Sequence, residues 1–204
     1  MIEVSEHFSV IAEGEGWIVV DKAAPLIVHP ANNRGDEPTL LGGVKQYLAY
    51  ELACGAKLSI INRLDRETSG LVLFATRKSV AREMSRAMER RVVKKQYQAI
   101  VVGWPEWEET IVEAPLLRQG EVLESKIYVK QMVHEGGKSS VTKFSVMKRY
   151  VLAGKKISLL QVEPFTGRMH QIRVHAEYIG HPLIGDKIYN EPAQYLEFIE
   201  TGLD

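Results

Sequence analysis

The chain has 204 residues, 45% hydrophobic and 25% charged, with 26 basic side chains against 26 acidic ones. Those are the proportions of an ordinary soluble globular protein, one domain by default, with enough chain to bury a core unaided. Cys54 stands alone, which excludes a disulfide framework or a cysteine-rich zinc site and fits a small buried apolar role. No apolar stretch approaches a membrane span, and the acidic start Met1-Ile2-Glu3-Val4-Ser5-Glu6 does not read as a signal peptide, so a cytoplasmic protein is expected.

In chain order, Ser9 to Ala12 and Trp17 to Val20 read as two strands of a hairpin around Gly14 and Gly16, and residues 23–38 as a loop rich in Pro, Asn and Gly. Thr39 caps a helix expected to run to about Ala53, with Leu40, Leu41, Val44, Tyr47 and Leu48 on one face. Leu71 to Ala75 has no polar residue and is expected deep in a sheet. A helix from Ser79 to about Arg90 puts Val80, Met84, Ala87 and Met88 on one side and Arg82, Arg86 and Arg90 on another. Further strands are expected at Tyr97 to Val102, Lys126 to Met132, Ser140 to Met147 and Ile157 to Glu163. A last helix runs from near Arg168 to a C-cap at Gly180. Strands outnumber helices and several meet at hairpin-like turns. The class is α+β with a largely antiparallel sheet, not a βαβ repeat.

Charge is segregated despite the neutral total. Residues 62–95 carry ten Lys or Arg against four acids, and residues 125–156 carry eight against Glu135 alone. A neutral protein can thus turn a basic face to a polyanion, although a mixed, solvated surface fits the counts equally well.

Three segments carry candidate chemistry. Asn62-Arg63-Leu64-Asp65-Arg66-Glu67-Thr68-Ser69-Gly70 places a carboxylate between two guanidinium groups, which favour its ionised form. Such a group suits a nucleophile or base. Arginine pairing that merely pins a turn fits the same residues and is the commoner case. Glu163 to His175 ends a strand at Pro164 and opens a helix with Arg168, His170, Gln171 and Arg173 in its first turns, a phosphate-attracting arrangement. His170 and His175 are five apart, without an HExxH pattern, so no metal is expected. Lys94-Lys95-Gln96-Tyr97 sets an aromatic after a basic run, which suits base stacking, although a strand tyrosine is more often core. His29-Pro30, His181-Pro182 and Gly185-Asp186-Lys187-Ile188-Tyr189 read as turns without a catalytic role. The chain lacks GxxxxGK[ST], GxGxxG and GxSxG, so no bound nucleotide cofactor is expected.

Together these segments resemble the RluA-type family of pseudouridine synthases. The family pattern runs His-Arg-Leu-Asp, two residues, Thr-Ser-Gly, then Lys-x-Tyr, then Gly-Arg-x-His-Gln-Ile-Arg-x-His, then Gly-His-Pro-x-x-Gly-Asp-x-x-Tyr. Here it reads Asn62 to Gly70, Lys95 to Tyr97, Gly167 to His175 and Gly180 to Tyr189, in order and with matching spacing. The resemblance implies Asp65 as the essential carboxylate, Tyr97 on the target uracil, Arg173 as the partner of Asp65, and Arg63 holding the flipped-out nucleotide. Arg168, His170 and Gln171 are candidate RNA contacts. It also implies a mixed, mainly antiparallel central sheet with flanking helices and an active-site cleft, an RNA substrate (rRNA or tRNA), and neither metal nor cofactor. A single catalytic domain, monomeric and without the S4-type RNA-binding domain of many relatives, is the expected organisation. Three positions depart from the pattern: Asn62 for His, Lys22-Ala23-Ala24-Pro25 for Lys-Pro-x-Gly, and Asn190 where Gly is common. A catalytically silent RNA-binding homologue is the alternative those departures allow. A glycosidase or nuclease would need a second acid, and Glu67 is the only one close by.

Overall fold

A computed structural model of the chain describes residues 2–5, 7–30, 38–193 and 196. Part of the loop expected at 23–38, namely 31–37, and the acidic C-terminal residues 197–204 lie outside the described residues. The chain divides into two compact units, Met1–Val92 and Val93–Asp204.

In the first unit, β1 (Ile2–Ser5), β2 (Phe8–Gly14), β3 (Trp17–Lys22), β4 (Ser59–Ile60) and β5 (Gly70–Ala75) form a five-stranded sheet in the order β1-β2-β3-β5-β4. The hairpin expected from the sequence is β2–β3, Gly14 pairing with Trp17. Val10, Ile18, Val20, Val72 and Phe74 fill one sheet face and pack with Leu40 and Val44 of α1 (Leu40–Tyr47). Thr39 caps α1 as expected, its Oγ1 accepting the Gly42 amide at 3.0 Å. The expected single helix is two, however. The chain leaves helical geometry at Leu48, which turns into the core, and resumes as α2 (Ala49–Ala53). Cys54, expected buried, is exposed just past α2. β5 pairs on both sides, yet Leu71, expected deep in the sheet, is 58% exposed, because it projects to the face opposite the buried Val72 and Phe74. α3 (Lys78–Glu89) follows, its apolar face half-buried and Arg82, Arg86 and Arg90 exposed.

In the second unit, β6 (Tyr97–Val102), β7 (Glu109–Glu113), β10 (Val141–Leu152) and β11 (Lys155–Pro164) form a four-stranded sheet ordered β6-β11-β10-β7. β8 (Leu116–Arg118) and β9 (Gln131–Val133) make a separate pair. The strand expected from Lys126 shrinks to β9 because local bonds capture the backbone before it. Ser125 Oγ takes the Ile127 amide, and the Lys130 amide closes a turn on the Ile127 carbonyl. β7 and β8 lie within residues 109–118, where no strand is expected from the sequence; in β7 only Val112 is buried. Val101, Phe144, Leu160 and Val162 form the core of this unit with Ala176 of α4 (Gln171–Tyr178).

α4 starts three residues later than expected, so Arg168 and His170 precede the helix rather than occupying its first turn. His170 sits in the left-handed region (φ 54°), which breaks helical continuity there. The end is as expected: Gly180 has φ 79°, its amide donates to Glu177 and that of His181 to Ala176, a Schellman closure. All pairings between named strands are antiparallel, and the class is α+β.

Candidate active site

Asp65 lies on the loop between β4 and β5, half-buried, in a turn closed by the Thr68 amide on its own carbonyl (3.1 Å). Three anchors fix this loop. The first is Lys22, the last residue of β3 and wholly buried. Its ammonium donates to the carbonyls of Ala23, Leu26 and Arg66 at 2.8 to 3.1 Å, and the Leu26 amide also donates to Arg66. Burial pulls Lys22 down to about 8, while the carboxylates of Glu67 and Asp65 pull the other way. A buried cation beneath the loop thus bonds the backbone of the residue next to Asp65 and adds a positive field at that carboxylate.

Asn62 is the second anchor. Its side chain donates to the Leu71 carbonyl (3.0 Å) and accepts the Leu73 amide (2.8 Å), continuing the ladder of β5 beyond the end of β4. The departure from the family's histidine therefore does backbone work. Gly70 (φ 122°) supplies the third, a turn into β5 that an L side chain resists. Arg63 is exposed, and its Nη1 donates to His29 Nε2 (2.7 Å). His29 Nδ1 in turn donates to the Pro30 carbonyl, which fixes the tautomer that can accept from Arg63. Sequence reasoning took His29 for a turn residue. The loop that holds it includes a cis Ala24–Pro25 bond.

In the second unit, Tyr97 opens β6, half-buried and paired with Val162, and the Lys95 ammonium bonds the Thr166 carbonyl at 2.9 Å. The segment from Glu163 to His175 separates into two systems. Gln171 is 4% exposed and its amide group is fully used. The oxygen accepts from Thr166 Oγ1 and the Arg168 amide; the nitrogen donates to the Val141 carbonyl and Thr142 Oγ1. That network ties the 166–170 turn to β10, and a direct RNA contact by Gln171 would have to break it. His175, wholly buried, extends it through Thr142, Ser140 and the Ala114 carbonyl. Burial holds its imidazole below the ordinary value, against an opposing pull from the Ala114 bond.

The other system gathers around Arg173, most of whose side chain is buried. Asp186 Oδ2 accepts Nε at 2.7 Å and Oδ1 accepts Nη2 at 2.8 Å, a side-on bidentate pair. The guanidinium carbon lies 5.1 Å from the centre of the Tyr189 ring. Tyr189 OH accepts the Gln131 amide and pairs with His170 Nδ1 at 2.9 Å. Burial pushes that phenol well above its usual range, so it stays protonated. Arg168 is exposed, its Nε donating to the Ser139 carbonyl. The sequence points to Arg173 and His170 but not to Asp186 and Tyr189, which the structure gathers with them. The Gly-Asp-x-x-Tyr spacing was visible, but nothing local to it reveals an acid buried against a helix. A surface depression of about 780 Å³ beside Gly16, Tyr50, Cys54 and Arg77 contains none of these candidates.

The family model for RNA pseudouridylate synthase matches residues 16–178. The chain belongs to this family, in its RluA-type branch. It is 33% identical over 202 residues to Ribosomal large subunit pseudouridine synthase C of Haemophilus ducreyi, covering 99% of this chain and 58% of that one. It is 37% identical over 186 residues to the synthase C of Vibrio cholerae, covering 91% and 54%, and 34% identical over 183 residues to Ribosomal large subunit pseudouridine synthase D of Pseudomonas aeruginosa, covering 90% and 53%. The chain therefore spans about half the length of the curated relatives it matches. Among solved structures, human RNA Pseudouridylate Synthase Domain Containing 1 superposes with a TM-score of 0.75 at 24% identity, over 92% of this chain and 71% of that one, a likeness of fold.

Proposed function

We propose that the chain is an RNA pseudouridine synthase acting on uridine in ribosomal RNA, with Asp65 as its catalytic carboxylate. The observation that carries this reading is the family match across residues 16–178, which includes the Asp65 loop, Tyr97 and Arg173. The named relatives act on the large ribosomal subunit, which makes ribosomal RNA the substrate to try first. Both units serve one monomeric, cytoplasmic catalytic domain, without metal or cofactor.

The reaction is an isomerisation. The bond from C1′ to the base nitrogen breaks, the uracil turns, a bond from C1′ to C5 forms, and the C5 proton leaves for water while the nitrogen gains one. The target nucleotide has to leave its stack, at a cost of a few kcal/mol. Arg63 and Arg168 supply phosphate contacts that offset this cost and set the register. In this reading Asp65 acts at the ribose or the ring, and Arg173 also takes part in the reaction. Tyr97 packs on the uracil and assists loss of the C5 proton. Gln171 contributes by holding the turn that carries Arg168, and His170 through its bond to Tyr189.

The deciding assay is tritium release from RNA containing [5-³H]uridine. Wild-type protein releases tritium without strand cleavage or free uracil, and Asp65→Asn or Asp65→Ala releases none while keeping fold and RNA affinity. Undiminished release by a clean Asp65→Ala preparation removes Asp65 from the mechanism. RNA affinity without release by the wild type points to a binding homologue, and free uracil points to a glycosidase.

A further inference from the structure

We propose that the end of the β10–β11 hairpin is an RNA-contact surface in its own right: Lys148, Lys155 and Lys156 are held there to take phosphates of the substrate RNA without regard to its sequence. The proposal rests on the reading above that the chain acts on RNA. It concerns binding and not the reaction, because none of the three lysines belongs to the catalytic group.

The basic bias of the sequence has a definite place in the fold. Between Glu135 and Glu163 stand six Lys or Arg and no acid. Two of the six are occupied in holding structure. Lys143 pairs with Glu109 at 2.9 Å, and Arg149 pairs with Glu108 at 2.8 Å while its Nη2 donates to the carbonyls of Pro105 and Trp107. Lys138 precedes β10. The remaining three, Lys148, Lys155 and Lys156, are exposed at the hairpin end, and no carboxylate among the described residues pairs with them.

That end is a fixed platform. Its turn is Ala153-Gly154, with φ 48° and 75°, the two-residue loop whose twist suits paired strands. Trp104 Nε1 donates to the Tyr150 carbonyl at 3.0 Å, which adds to the hold of Arg149 on the 105–108 segment. Two of the ammonium groups are steadied by rings. Lys156 Nζ lies 4.6 Å from the centre of the Trp104 ring, and Lys148 Nζ lies 5.0 Å from that of Tyr150. Strand alternation puts Lys148 and Tyr150 on one face, and the pairing of Leu152 with Lys155 brings Lys155 to that face too. Three cations with no acid beside them attract a polyanion, and placing them in advance lowers the ordering cost of binding it.

The test is a salt series. Binding of a large-subunit ribosomal RNA transcript is measured between about 50 and 200 mM KCl for wild type and for Lys148→Gln/Lys155→Gln/Lys156→Gln, together with single-turnover tritium release at saturating RNA. Loss of three phosphate contacts is expected to lower the slope of log Kd against log salt by about 2 to 3, with weaker binding throughout, and to leave the saturating rate unchanged. The matching triple Lys→Arg variant is expected to restore the wild-type slope. An unchanged slope overturns the proposal, and so does a saturating rate that falls as far as the affinity. If the triple Gln variant does not fold, the three single variants replace it, each expected to lower the slope by about 0.7 to 0.9. Acetylation of the folded protein, mapped by mass spectrometry, supplies a local readout: the transcript is expected to protect all three lysines, and polyglutamate of equal charge is not. Protection as strong by polyglutamate assigns the surface to an acidic protein segment and overturns the proposal. Failure of the underlying reading looks different, because the wild type itself would then neither bind the transcript nor release tritium.

Discussion

At the residue scale, the polar side chains of the second unit fall into those that build and those that act. His175 builds. Its Nε2 donates to the Ala114 carbonyl, so Nδ1 accepts from Thr142, whose oxygen in turn accepts from Gln171. Burial depresses this imidazole, so the unfolded chain takes up a proton near pH 6.5 where the folded chain resists it. Its contribution to stability is complete above about pH 6.5 and declines as the pH falls below that. The thermal midpoint is expected to drop between about pH 7 and 5, more steeply for wild type than for His175→Gln; equal slopes would exonerate His175. Tyr97 is proposed to act on the uracil. Tyr97→Phe keeps the ring and loses the hydroxyl, so RNA affinity is expected to stay within about twofold while tritium release falls at least about tenfold. Normal turnover by that variant would leave only the stacking face in use. The Asp65 motif was legible in the sequence because its chemistry lies within nine consecutive residues. The Arg173–Asp186 pair was not, because thirteen residues and a turn separate its members and each looks ordinary where it stands.

At the element scale, what the sequence announced most clearly was capped or periodic. Thr39 marked the start of α1 and Gly180 the end of α4, both through backbone groups that a local side chain or turn satisfies. Thr39→Ala is expected to cost about 1 kcal/mol and to lower the thermal midpoint by about 2–4 °C, with Thr39→Ser close to wild type; an unchanged midpoint in Thr39→Ala would show that the cap bond does not contribute. The starts and breaks that the sequence misjudged come from bonding and packing that element periodicity does not show, some of it tertiary and some local. Leu48 interrupts a periodic helix to enter the core, and Gln171 holds the turn before α4 from across the unit. Ser125 captures backbone that otherwise reads as strand. Lys22 is the instructive case for the site. A lysine ending a strand reads as solvated, yet here it is buried under the Asp65 loop and bonds three carbonyls.

At the scale of the whole molecule, equal numbers of acids and bases concealed a segregated charge, and composition alone named no partner. The α+β class was legible because turn signals and period-two runs are local, whereas strand order and the separation into a five-stranded and a four-stranded sheet come from long-range pairing. Family membership rests on a match that runs through most of the chain, while the curated relatives are about twice as long. The most direct test of the chemistry is a nucleoside-resolved map of pseudouridine in ribosomal RNA from cells lacking this protein, complemented with wild type or with Asp65→Asn. A site of modification that disappears on deletion, returns with the wild type and stays absent with Asp65→Asn is the predicted result. Restoration of that site by Asp65→Asn, or an identical map in all strains, would contradict the account.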